Sequence, residues 1–299
     1  MKFVVPITVD ESNLTSNLTN EAADWTAGTY NTGTKKVEDE LVYEVVASPS
    51  TTDQPSVGAA KDTPTWIVLG YANIWRMWRE GSDSVSTNTG DIETSVEPID
   101  TVITTVGVLN VDAFSVTVEL TDPVEGVVYS ETKDVADIGV VDWWEYFFTT
   151  YDRNKVLIFE GLPAYFGVGV SLSVTINAAA PGDTVEVGRV VIGRSLDAGR
   201  TLQGVQSRNM TFSKKERDEF GNLTLINRRT IRVIDYPVML QSNQADSVQR
   251  KAEELAVTPT LFIGDSNKPE TIVFGVFESF DIIVKGLSVV ECSISVEEF

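Results

Sequence analysis

Between residues 102 and 193 the chain repeats one pattern six times: a short β-branched or alternating apolar run, closed by a turn. The runs are residues 102–106, 114–120, 127–130, 155–159, 170–176 and 185–193, with Asp122-Pro123 and Ala180-Pro181-Gly182-Asp183 among the breaks. A side-chain period of two with turn residues between runs predicts strands, and six or more short strands predict a β-sandwich or jelly roll. The expected fold class is therefore mainly β.

At 299 residues and 42% hydrophobic, the chain is long for one core and is expected to divide into two or three modules. No apolar run approaches the roughly 20 residues that cross a bilayer, and Met1-Lys2-Phe3-Val4-Val5-Pro6 is too short for a signal segment. A soluble chain starting at or near Met1, with no membrane span, is expected. The net charge of −21 disfavours nucleic acid, whose phosphates require clustered cations. The chain has no histidine, which removes the commonest general base, the Ser-His and Cys-His nucleophile pairs and most zinc sites. A glycosidase would need only two carboxylates, but with 44 acidic residues no pair stands out. Residues 91–97 do not follow the ligand order of a calcium loop. No catalytic residue, cofactor or metal is expected. Cys292, the single cysteine, lies in an alternating run and reads as a small buried hydrophobe.

Residues 1–23, polar and without sustained periodicity, read as an exposed arm that orders on a neighbouring subunit. A module at 24–80 follows, rich in aromatic residues between turns: Trp25, Tyr30, Gly33, Val37, Tyr43 and Trp66. The spacing W-x4-Y-x2-G-x3-V-x5-Y…P-x-W resembles the type 5/12 carbohydrate-binding modules of chitinases and cellulases, similar copies of which sit in phage tail proteins. A polar insert at residues 48–62 lengthens one loop of that pattern. The resemblance implies glycan contact through Trp25, Tyr30, Tyr43 and Trp66; the competing reading is that these rings are needed as the core of a small module. The densest aromatic cluster, Asp142-Trp143-Trp144-Glu145-Tyr146-Phe147-Phe148, carries the same two readings, with Trp143 and Trp144 either packed at the mouth of the 81–193 sandwich or offered to a ligand.

From residue 194 the charge changes sign. Residues 194–232 hold nine bases against four acids, a local +5, leaving the remainder with 14 bases and 40 acids, or −26. Residues 205–213 and 223–234 read as strands joined across Glu219-Phe220-Gly221-Asn222, a turn sequence. The ribbon carries Arg208, Lys214, Lys215, Arg217, Arg228, Arg229 and Arg232, which either point to solvent or dock on an acidic surface of a partner or another copy. Residues 242–256 predict a helix capped by Ser242 or Asn243, with Ala245, Val248, Ala252 and Leu255 on one face and Pro259 beyond its end. Strands are expected again at 260–264, 271–277, 280–284 and 287–296.

This order of elements in residues 194–299 resembles domains of phage tail-tube, distal-tail and minor tail proteins. Ile192-Gly193-Arg194-Ser195-Leu196-Asp197, Asp218-Glu219-Phe220-Gly221-Asn222 and the ending Ser293-Ile294-Ser295-Val296-Glu297-Glu298-Phe299 look like a little-characterised family of phage tail-region proteins. What the resemblance implies is a non-enzymatic virion protein of the tail tip, baseplate or neck, made in the host cytoplasm and present in several copies. Its partners would be other copies of itself, other tail or fibre proteins and, in the alternative reading, a bacterial surface polysaccharide.

Overall fold

The computed structural model describes residues 1–79, 84–135, 155–217, 220–221, 223–284 and 289–299. The fold is mainly β, built from curled antiparallel sheets in a sandwich-like arrangement. The chain forms two compact units, one of Met1–Thr8, Val102–Val106 and Val191–Phe299, the other of Val9–Thr101 and Gly107–Val190. Residues 24–80 and most of 81–193 fall in the second of these units, and residues 194–299 in the first.

The first unit shows what the opening residues do. Lys2–Pro6 is an interior strand, antiparallel to the end of Thr184–Asp197 on one side and to Thr260–Ile263 on the other. Ile272–Val284, Val289–Glu298 and Thr230–Gln241 follow in order across the sheet. Phe3 and Val4 are fully buried, and the Phe3 ring meets Phe262 and Phe277 at centroid distances of 6.1 and 5.8 Å. At Gly193 a β-carbon would stand 2.1 Å from the Val5 carbonyl oxygen, so this close approach demands glycine. The expectation of an exposed arm is thus corrected. Residues 1–23 carry no long periodic signal because they form strands of only five and three residues, the second being Leu14–Ser16 in the other unit. Between them Asp10 closes a turn, its Oδ1 accepting from the backbone and hydroxyl of Ser12.

Alternation in the last strands places Ile234, Tyr236, Val238 and Leu240 beside Val290, Cys292, Ile294 and Val296 in one core. The runs expected at 271–277 and 280–284 form one strand, with a register shift between Phe277 and Ser279. The helix Ser242–Glu254 lays Val248 against this core, with Leu255 just past its end. Its cap differs from expectation. Gln241 stands at the N-cap without a side-chain hydrogen bond, and the buried Ser242 hydroxyl has no partner. The strand runs directly into the helix, so Ser242 already lies in the first turn, where a hydroxyl no longer reaches the free N–H groups ahead of it.

Tyr236, the only tyrosine in this unit, is fully buried and donates its hydroxyl to the Thr271 carbonyl at 2.9 Å. Burial pushes its hydroxyl above the usual phenol range, so the folded state holds the proton after the unfolded chain has lost it. The resulting stability is complete below a pH of about 10 and falls above it, by at most about 1.4 kcal/mol per pH unit. Tyr236→Phe is expected to cost about 1 kcal/mol at neutral pH and to flatten the alkaline decline, as read from urea midpoints between pH 8 and 11.

In the second unit Gly126–Asp134, Ser115–Asp122, Ser171–Asn177, Ile92–Val96 and Leu14–Ser16 make a five-stranded sheet. Val116, Val118 and Leu120 are buried beside Leu172, Val174 and Ile176. Val156–Glu160, Thr105–Asp112, the start of Thr184–Asp197 and Ser86–Thr89 pair separately. Lys133 links the two groups, donating to the Ile158 carbonyl at 2.6 Å and lying 5.0 Å from the Phe159 ring centre. The aromatic segment forms the three-stranded sheet Lys35–Glu38, Leu41–Val45, Trp66–Tyr71, with the pair Tyr30–Asn31 and Ser50–Thr51 and the short helix Pro55–Ala59 inside the polar insert. No helix among the described residues is long and apolar enough to cross a membrane.

Candidate functional site

The basic ribbon is a β-hairpin. Its base pairs Gln206–Thr211 with residues 230–235, and its outer part pairs Lys214–Arg217 with Leu223–Ile226. Thr211 faces Thr230 and Lys214 faces Ile226, so two residues on the outgoing arm separate these pairs and three on the return arm. The extra residue makes a bulge. Ser213 fixes it, its Oγ donating to the Arg228 carbonyl at 3.2 Å and accepting from the Arg228 N–H at 3.0 Å. At the turn Gly221 takes a positive φ, and Arg217 Nη1 donates to its carbonyl at 3.1 Å.

Every described residue from 206 to 230 except Ser213 is exposed. Residues directly opposite in an antiparallel pair share a face, which puts Lys215, Arg217, Leu223 and Leu225 on one side of the tip and Lys214, Glu216, Thr224 and Ile226 on the other. Leu225 is 63% exposed and Phe220, at the turn, 88%. Large apolar side chains gathered this openly on one hairpin are unusual on a protein surface. In the sequence, charge marks the ribbon, and its aliphatic face is signalled only by the run Leu223-Thr224-Leu225-Ile226 just after the turn.

The seven expected interface cations fall into two groups. Arg208 pairs with Glu278 at 3.5 Å, Arg232 with Glu298 at 3.5 Å, and Lys214 with its neighbour Glu216. These three are engaged within the chain. Among the described residues no ion pair engages Lys215, Arg217, Arg228 or Arg229, which are the cations open to a partner.

The aromatic residues divide as well. Trp66 is 0% exposed and donates Nε1 to the Asp53 carbonyl at 3.0 Å; Tyr43 is buried, and that burial raises its hydroxyl above the usual range. Neither presents a ring face, so glycan contact through Tyr43 and Trp66 is corrected to core packing. Trp25 and Tyr30 pack on that core and keep part of their surface in solvent. The Tyr30 ring meets Trp66 edge-on at 5.8 Å, with Lys36 Nζ 5.2 Å from its centre. Trp143 and Trp144 lie outside the described residues. The Cys292 thiol is buried, and burial pushes its pKa up, away from the reactive thiolate. Among the described residues no three His, Cys, Asp or Glu side chains gather to hold a metal. Comparison of the chain with protein-family models, curated proteins and solved structures returns no match.

Proposed function

We propose that this chain is a structural, non-catalytic component of a bacteriophage tail, at the tip, baseplate or neck, and that its hairpin joins it to neighbouring subunits. One observation carries the assembly part: a strand-paired ribbon whose described cations and aliphatic side chains are exposed together, on a chain that is otherwise strongly acidic. Desolvated apolar contact supplies affinity to such a joint, and charge supplies register and partner choice. The viral part rests on the resemblance of residues 192–197, residues 218–222 and the last seven residues to tail-region proteins.

The test is incorporation. Arg228→Glu with Arg229→Glu is expected to change the stability of the isolated chain by no more than about 0.5 kcal/mol, since both side chains are exposed. The same pair is expected to reduce incorporation into virus particles at least roughly tenfold, measured by mass spectrometry of purified particles. Normal incorporation would rule the reading out. A second reading, contact with a bacterial surface glycan, is carried among the described residues by the part-exposed Trp25 and Tyr30. It expects Trp25→Ala to fold normally and to lose binding on a glycan array.

A further inference from the structure

A second exposed apolar surface lies in the second unit, where two loops meet. One is the turn between Ser115–Asp122 and Gly126–Asp134, the other is residues 163–170. The Tyr165 hydroxyl donates to Glu125 Oε2 at 2.6 Å, and a β-carbon at Gly169 would stand 3.2 Å from the Pro123 ring. The Gly167 N–H donates to the Ile99 carbonyl at 2.7 Å, and the Ile99 N–H to the Val170 carbonyl at 3.2 Å. The loops are therefore held together and against residues 97–101. Their tips carry Val124 and Val168, 90% and 93% exposed, with Phe166 and Val127 also exposed. Single exposed valines are ordinary on a protein surface; three large apolar side chains on two apposed loops, with Val127 exposed near the start of the adjoining strand, are not.

The charges around this surface are the reverse of those on the hairpin. Residues 97–101, 121–128 and 163–170 contain Glu97, Asp100, Asp122 and Glu125 and no base, a local −4. Residues 206–232 contain seven bases and three acids, a local +4. Like charge opposes pairing either surface with itself, so a twofold joint through one patch is disfavoured, whereas each surface complements the other in charge and in exposed aliphatic side chains.

We propose that the hairpin tip of one copy, with Lys215, Leu223 and Leu225, docks on the valine-tipped acidic loop pair of a second copy. The joint is heterologous: each chain offers one donor and one acceptor surface, and repetition closes a ring or extends a filament. This rests on the reading of the chain as an assembly protein, not on the kind of particle it serves.

The experiment is sedimentation velocity of the full chain across concentration and salt, with two variants. The hairpin variant combines Lys215→Glu, Arg228→Glu and Arg229→Glu; the loop variant combines Val124→Ser and Val168→Ser, at positions too exposed to serve the fold. The wild-type chain is expected to form concentration-dependent oligomers that weaken as salt rises. Each variant alone is expected to associate at least roughly tenfold more weakly. Mixed, they retain one intact joint between them and are expected to give dimers and nothing larger. A loop variant that assembles like the wild type, while the hairpin variant does not, overturns this partner but leaves the assembly reading standing. A wild-type chain that stays monomeric throughout also overturns the pairing with a second copy, and particle incorporation then decides the assembly reading separately.

Discussion

Removal of residues 1–6 is expected to unfold the unit built on Val191–Phe299. The strand Lys2–Pro6 lies between two others and is bonded to both, so its loss strips two ladders and opens two unpaired edges. It also takes away Phe3, whose ring packs on the Phe262–Phe277 pair. Phe3→Ala alone should cost about 3–5 kcal/mol, a large part of the about 5–15 kcal/mol that holds a typical domain together. Deleting the whole strand should exceed that reserve. Circular dichroism and urea denaturation of the truncated chain would show it. An exposed arm predicts instead a truncated chain with the wild-type midpoint.

The second large effect is expected at Trp66. Its indole is fully buried against Tyr43 and Val45 and satisfies the Asp53 carbonyl, so Trp66→Ala leaves a cavity and an unpaired acceptor. The cost should be about 3–5 kcal/mol, seen as an early unfolding step in thermal or chemical denaturation. Trp25→Ala, with part of the ring already in water, should cost clearly less. A Trp66→Ala chain that keeps its stability and loses glycan binding would restore this residue to a sugar platform.

These two residues also show what the sequence made legible. The strands of residues 114–197 and 260–298 could be read because buried and exposed side chains alternate in them, as in Ser171–Asn177 and Val289–Glu298. Period two is a direct imprint of a sheet with one covered face. The hairpin was legible from its turn residues and charge. Lys2–Pro6 was not, because a five-residue strand with both neighbours more than 180 positions away leaves no local periodic trace of its pairing. The aromatic spacing in 24–75 was visible, but spacing does not distinguish a ring facing a ligand from one facing the core; Tyr43 and Trp66 were resolved only by their burial. The loop surface of Val124 and Val168 escaped for a related reason. Isolated valines in turns carry no pattern, and their significance arises only when Tyr165 and Glu125 bring two distant loops together.

The central claim is that the ribbon at residues 206–230 exists to meet another subunit. Hydrogen–deuterium exchange by mass spectrometry, comparing the isolated chain with the same chain in assembled particles, addresses it directly. Amides of Lys214–Arg217 and Leu223–Ile226 should exchange quickly in isolation, as a two-stranded, solvent-exposed pair does, and become protected on assembly. Equal exchange in both states, with protection appearing elsewhere on the chain, would contradict the account.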